Sequence, residues 1–367
     1  IPFCRSKCPY CGFYSLTRRG PGAYIDALEN EILTLSRSGA FVPPEEMFSR
    51  PVETVYFGGG TPSFIGADAL SRLLGAVFSR YSVTPDAEVT VEVNPRDSSP
   101  ELFAALHNAG FNRLSLGLQS AVDSERRSLG RLSGARDVEK AVSDARGAGF
   151  SNISLDLMLG VPGQTEESLE ESLDFTARLR PEHISTYMLS IEPGTVFEKR
   201  RAGLDLPDAD AAAEMYLRTV GYFSEKGYSH YEISNLAVPG FESRHNTRYW
   251  RLEDYLGLGA AAHSLINRRR FSFAPDADAF IAGAAPTQEP GGDPAGEYMM
   301  LALRLREGFS YARAAELGVR LPAELPERAG KLVSEGLAEP TPEGFRLTAK
   351  GMAVENSVII YLEEDLT

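Results

Sequence analysis

Between residues 50 and 190, short apolar runs alternate with longer segments whose apolar residues recur every three or four positions. The runs Val52–Phe57, Glu88–Val93, Arg113–Leu118, Asn152–Leu159 and His183–Ser190 predict β-strands. Their starts lie 36, 25, 39 and 31 residues apart, the size of a strand, a crossover helix and two loops. Segments 22–37, 66–80, 99–109, 136–148 and 165–180 carry the helical period those crossovers need. Ile1–Phe3 reads as the tail of one more strand. Six β/α units and a parallel sheet follow, an α/β fold. Periodicity leaves a barrel and an open sheet equally open.

Residues 274–296 are rich in Pro, Gly, Ala and Asp and read as a connection, with one short helix near Ala277–Ala282. Beyond it, helices are expected near 297–306, 310–316 and 322–336, then a hairpin over Leu337–Thr348 and a last helix from about Ala349. Helices followed by a two-stranded wing predict a helical, winged-helix-like domain. The chain thus divides into 1–190, an extension at 191–273, a linker at 274–296 and a C-terminal domain at 297–367.

Composition narrows the classes. Of 367 residues, 43% are hydrophobic and 24% charged, an ordinary globular balance. The net charge of −14 argues against general nucleic-acid binding, which needs clustered Lys and Arg. The C-terminal domain, with 12 acidic and eight basic residues, is no better suited to DNA. Docking or a homodimer contact is its expected role. No run of 18 apolar residues is present, so no transmembrane segment is expected. The chain opens at Ile1 without an initiator Met or a signal-peptide pattern. Processing or further upstream residues are expected, with most of the first strand before Ile1.

The three cysteines, Cys4, Cys8 and Cys11, fall within eight residues, and the remaining sequence has none. Three cannot pair off, and disulfides between such neighbours would staple little. A reducing, cytoplasmic setting and a metal site are the expectation. Thiolates are the ligands of iron–sulfur clusters, and three of them on a 4Fe–4S cluster leave one iron open to a small molecule. Structural zinc needs four protein ligands, usually in paired C-x2-C elements, and no second pair exists.

Cys4-x3-Cys8-x2-Cys11 after a strand of a β/α repeat resembles the radical S-adenosylmethionine (SAM) superfamily. The resemblance implies a partial parallel (β/α)6 barrel and a 4Fe–4S cluster whose open iron is chelated by the methionyl group of SAM. It also implies one-electron cleavage of SAM to a 5′-deoxyadenosyl radical or a controlled derivative. Tyr10 matches an aromatic residue kept against the cluster or the adenine. Gly58-Gly59-Gly60-Thr61-Pro62 matches the glycine-rich motif that meets the methionyl amine, where missing side chains let a backbone approach closely. Glu92 matches a carboxylate pairing with that amine. Gln119 and Asp156 match positions that bind the ribose hydroxyls, and Arg131 an arginine that pairs with the methionyl carboxylate.

Within the superfamily the chain is similar to oxygen-independent coproporphyrinogen III oxidases and to HemW-type haem chaperones, closely over Ile1 to about Ser264. The oxidase carries a fourth cysteine two residues after the third; here that position is Phe13. His245-Asn246-Thr247-Arg248-Tyr249-Trp250 resembles the H-N-x-x-Y-W motif of the chaperones. Imidazole can ligate haem iron, and Tyr249 and Trp250 can flank a macrocycle. His263 is the second-choice ligand, whereas His107, His183 and His230 are expected to be structural. Glycines and alanines in Tyr255–Ser264 are expected to let a flat ligand reach the backbone. The resemblance implies a carrier of haem to acceptor haemoproteins, in transient contact with those that are membrane-bound. Decarboxylation of coproporphyrinogen III and radical SAM chemistry on another substrate stay open.

Overall fold

The computed structural model describes residues 1–17 and 20–363; the last four residues of the expected C-terminal domain lie outside them. After α1 (Gly22–Thr34) and α2 (Pro44–Ser49), strands and helices alternate: β1 (Pro51–Phe57), α3 (Ala67–Arg80), β2 (Ser82–Val93), α4 (Pro100–Ala109) and β3 (Arg113–Gln119). The alternation continues with α5 (Asp123–Ser128), α6 (Ala135–Gly147), β4 (Ile153–Leu159), α7 (Glu166–Leu179) and β5 (His183–Met188). Strands β1 to β5 pair in sequence order and in parallel. Helix α8 (Val196–Arg200) and α9 (Ala209–Glu225) lead to β6 (Ser229–Glu232) and β7 (Asn235–Ala237); β7 adds antiparallel to β5, and β6 antiparallel to β7. The result is one curled half-barrel in the order β1-β2-β3-β4-β5-β7-β6.

The expected α/β class and partial barrel stand, with differences of detail. Ile1–Phe3 lies along the loop after β1 without forming a full strand: Gly60 N donates to Ile1 O (2.9 Å) and Thr61 N to Phe3 O (2.8 Å). Five parallel strands, not six, are formed among the described residues. The helix expected to reach residue 37 ends at Thr34, because Leu35 turns left-handed at φ 47°. Beyond it, the buried Glu31 carboxylate accepts from Ser38 N (2.9 Å) and Ser38 Oγ (2.8 Å) and folds the chain back. Strand β2 begins six residues before the expected Glu88.

Alternation sorts the strand residues between the two faces of the sheet. Leu114, Leu116, Ile153, Leu155 and Leu157 are buried in the main core with residues of the surrounding helices. The alternate positions, including Thr54, Tyr56, Glu88, Thr90, Glu92, Ser115, Asp156, His183 and Ser185, give the inner face a polar character unusual for a small barrel.

Next come α10 (Arg244–Trp250), β8 (His263–Ile266), β9 (Arg269–Ser272), α11 (Ala277–Ile281) and β10 (Thr287–Gln288). The segment read as a linker thus holds the expected short helix and also a strand pairing with β9. The rest consists of α12 (Pro294–Ala302), β11 (Phe309–Ser310), α13 (Tyr311–Glu316), α14 (Leu325–Ser334), β12 (Ala338–Thr341), β13 (Gly344–Leu347), α15 (Ala349–Ala353) and α16 (Glu355–Glu363). Its strands form a small sheet in the order β11-β13-β12. It meets the half-barrel through backbone bonds: Ile233 N donates to Arg304 O (2.8 Å) and Arg306 N to Tyr231 O (3.0 Å).

Candidate functional site

The cysteine loop is pinned at both ends. Cys4 N donates to Leu16 O (2.9 Å) and Leu16 N to Pro2 O (2.8 Å), so residues 4–16 leave and return at one place. Cys11 N donates to Cys8 O (3.2 Å), closing a turn that carries two of the thiols. Phe197 N at α8 donates to Pro9 O (3.0 Å). Gly130 faces the same proline: a Cβ there would lie 2.7 Å from Pro9 Cδ. Thr61 Oγ1 stands 3.4 Å from Cys4 Sγ, so the first cysteine sits against the glycine loop. All three cysteines are half-buried and free of disulfides. Burial pushes the Cys11 thiol up, and the neighbouring Cys8 and Cys4 push the same way.

The glycine loop leaves no room for side chains. A Cβ on Gly60 would lie 2.9 Å from both N and O of Phe3, backbone atoms that cannot swing aside. Gly60→Ala is therefore expected to cost about 1–3 kcal/mol, read as a lowered urea midpoint. Gly59 has φ 110°, a conformation side chains rarely adopt.

Glu92 lies at the end of β2 and accepts from Tyr56 OH (2.8 Å). Burial raises its pKa to about 7. Asp156 on β4 accepts from Ser115 Oγ at 3.0 and 3.1 Å, and burial raises it to about 6. Gln119 ends β3 with φ 69°, a strained value for a residue with a side chain, of the kind that gathers at ligand sites. Arg131 donates through Nη2 to Tyr10 OH (2.9 Å), while its buried Nε has no partner.

Among the described residues, no three His, Cys, Asp or Glu side chains group to hold a single metal ion. A 4Fe–4S cluster needs another arrangement, one thiolate per iron corner, and three free thiols on one loop suit it. The remaining polar groups fit SAM: an unpartnered guanidinium N–H for a carboxylate, and half-buried acids for an ammonium and hydroxyls.

The H-N-x-x-Y-W segment forms α10, and the inner face of the half-barrel holds it. Glu88 on β2 accepts from the backbone N–H groups of Arg244 and His245 (both 3.0 Å), an anion at a helix start. His245 Nδ1 lies 2.9 Å from Thr54 Oγ1, and its Nε2 lies 2.6 Å from Tyr249 OH. Its ring stacks on Tyr56, with centroids 5.0 Å apart and planes at 22°. Burial, with Arg113 and Arg248 adding to it, lowers the His245 pKa to about 4, so the imidazole is neutral at pH 7. That is the form that ligates iron, though both nitrogens are engaged within the protein. The Arg304 guanidinium lies 5.0 Å from the Trp250 ring centroid, and Trp250 Nε1 is buried without a partner.

The glycines of 255–264 do not open a path to a flat ligand. A Cβ at Gly257 would lie 2.1 Å from His263 O, and one at Gly259 would lie 2.6 Å from Tyr24 OH, so the protein itself occupies that space. His263 is exposed, with Nδ1 2.6 Å from Glu289 Oε1. His183 is buried between Ser154 Oγ and Tyr231 OH (both 2.8 Å). His230 bonds Tyr216 OH (3.2 Å), and His107 meets Phe150 edge-on. Sequence reasoning missed Tyr56, Thr54 and Glu88, which join the two halves of the site. Their signal is the two-residue alternation that puts them on the inner face with Glu92.

Residues 1–176 match the family model of the radical SAM superfamily, and 292–354 match the HemN C-terminal domain. The half-barrel with its cysteine loop is thus that of a radical SAM protein, a family that implies a 4Fe–4S cluster and SAM. Heme chaperone HemW of Bacillus subtilis (strain 168) is 36% identical over 98% of this chain and 96% of its own. HemW of Mycobacterium tuberculosis (strain CDC 1551 / Oshkosh) is 33% identical over 98% and 92%. The chain belongs to the HemW family. A solved structure, coproporphyrinogen III oxidase (HemN) from Escherichia coli, matches with a TM-score of 0.82 at 26% identity, covering 99% of this chain and 88% of that one.

Proposed function

We propose that this chain is a haem carrier that delivers haem to acceptor haemoproteins, with a 4Fe–4S cluster on Cys4, Cys8 and Cys11 and SAM beside it. The position of α10 carries the reading: a neutral imidazole stacks on the strand whose end forms the glycine loop. The relatives named heme chaperone HemW support it across nearly the whole chain.

In this reading the cluster supplies one-electron chemistry towards SAM when both are bound. Glu92 and the Gly58–Gly60 carbonyls take the methionyl ammonium, Arg131 the carboxylate, and Gln119 and Asp156 the ribose hydroxyls. Tyr10, held by Arg131, flanks the cluster or the adenine. His245 takes haem iron once one of its nitrogens is released from Thr54 or Tyr249. Tyr249 and Trp250 contact the macrocycle. We place this activity in the cytoplasm, a reducing setting that keeps the three thiols free.

Haem titration of wild type and His245→Ala tests the reading. Wild type is expected to give a ligated haem spectrum, and the alanine variant to bind at least tenfold more weakly with an altered spectrum. Equal affinity and identical spectra would remove His245 as the ligand. The similarity to HemN favours a second reading, oxidative decarboxylation of coproporphyrinogen III. Phe13, exposed where the oxidase has its fourth cysteine, opposes it. Product formed anaerobically with dithionite and SAM would decide for that enzyme.

A further inference from the structure

One side chain touches both halves of the site. Tyr56, on the inner face of β1, donates its hydroxyl to Glu92 Oε1 (2.8 Å) and lays its ring on His245 (5.0 Å between centroids). We propose that Tyr56 is a positioning residue that couples the two ligand sites, so that SAM at Glu92 unlatches His245 and tightens haem binding. The inference rests on the haem-carrier reading above and adds to it a direction of regulation.

The latch is visible as two hydrogen bonds. Thr54 holds one imidazole nitrogen and Tyr249 the other (2.9 and 2.6 Å), and Tyr249 is braced edge-on against Tyr255 with centroids 4.6 Å apart. Iron needs one of those nitrogens free, which defines two states of His245: latched in the protein, or released to a ligand. A ligand shifts such an equilibrium only by interacting differently with the two states. SAM meets that condition through Glu92. An ammonium drawing on the carboxylate competes with the Tyr56 hydroxyl for it, and Tyr56 is the platform on which the latched ring rests.

Close packing makes the link stiff. A Cβ on Gly58 would lie 2.6 Å from the Tyr56 ring and 2.9 Å from Glu92 Oε1, so the glycine loop, the ring and the carboxylate are already in contact. A displacement of Glu92 is passed to the ring through its hydrogen bond to the Tyr56 hydroxyl. The coupling runs through a contiguous contact with two discrete arrangements at its far end, as a physical account of linkage requires.

The test uses cluster-reconstituted protein under anaerobic conditions, with haem followed by its Soret band and SAM by equilibrium dialysis. In wild type, saturating SAM is expected to tighten haem binding about fivefold or more, and haem to tighten SAM binding by the same factor. Tyr56→Phe keeps the ring and removes the hydroxyl. It should fold and still bind each ligand, at an unfolding temperature lowered by the lost hydrogen bond to Glu92, with the mutual effect reduced to less than about twofold. Thr54→Val, which removes one latch bond, should bind haem more tightly without SAM, an effect that structural damage would not produce. Independent affinities in wild type, or full coupling in Tyr56→Phe, would overturn the inference while leaving the carrier reading intact. Failure of wild type to bind haem at all would overturn both.

Discussion

Cys8→Ser is expected to give a folded chain that assembles no 4Fe–4S cluster, whereas wild type reconstituted anaerobically takes up about four irons per chain. The expectation of a folded variant comes from how the loop is held. Its turn is closed by Cys11 N on Cys8 O, its ends by Cys4 N and Leu16 N, and its middle by Phe197 N on Pro9 O; all are backbone bonds that serine preserves. Only the thiolate is lost, and a cluster with two cysteine ligands has two uncovered irons on a loop that offers no other soft donor. Iron analysis and the visible charge-transfer bands check it, with circular dichroism confirming the fold. Four irons retained in Cys8→Ser would remove Cys8 from the ligand set.

Stability is expected to fall as pH rises from 6.5 to 8. Burial raises Glu232 to about 8, Glu92 and Glu355 to about 7 and Asp156 to about 6. Between its unfolded value of 4.5 and its folded value, each buried Glu keeps a proton that the unfolded chain has released. Each pH unit in that interval removes about 1.4 kcal/mol per group at most. Three histidines act on the other side: burial lowers His230 and His245 to about 4, and His183 well below its ordinary 6.5. Their contribution is lost as pH falls from 6.5, because the unfolded imidazoles then take up protons. Between 6.5 and 8 the acids outweigh the one group acting against them there, the Ile1 amine, which burial lowers to about 6. Glu232→Gln should flatten the slope there by about 1–2 kcal/mol, whatever it does to absolute stability. Urea unfolding of the cluster-free protein at both ends of the window reads it. An unchanged slope would mean that Glu232 is ionised in the fold.

Strands with unbroken apolar alternation are legible in the amino-acid sequence alone. Arg113–Leu118 and Asn152–Leu159 fall within a residue of β3 and β4, because every second side chain there is buried under a helix. Strands without that signal are not legible. The first six residues of β2 include Pro85 and Asp86, and both residues of β10 are exposed, so hydrogen bonding to a neighbour rather than burial makes them strands. For the site, spacing and order identify the cysteines, the glycine loop and the polar residues at the strand ends. The contact of Tyr56 with His245 spans 189 residues and depends on how the half-barrel curls, which no local pattern encodes. The 255–264 glycines mislead for a related reason: a glycine marks a close approach without saying whether ligand or protein makes it.

The C-terminal residues 304–306 have one more consequence. Strand β6 is the last in the main sheet, and a free sheet edge is a template for pairing with other chains. Leu305 bridges antiparallel to Glu232, with Ile233 N and Tyr231 O bonded to the same segment. The C-terminal unit thus acts as an end-stop for the half-barrel, giving an acidic fold a built-in guard against strand-by-strand self-association.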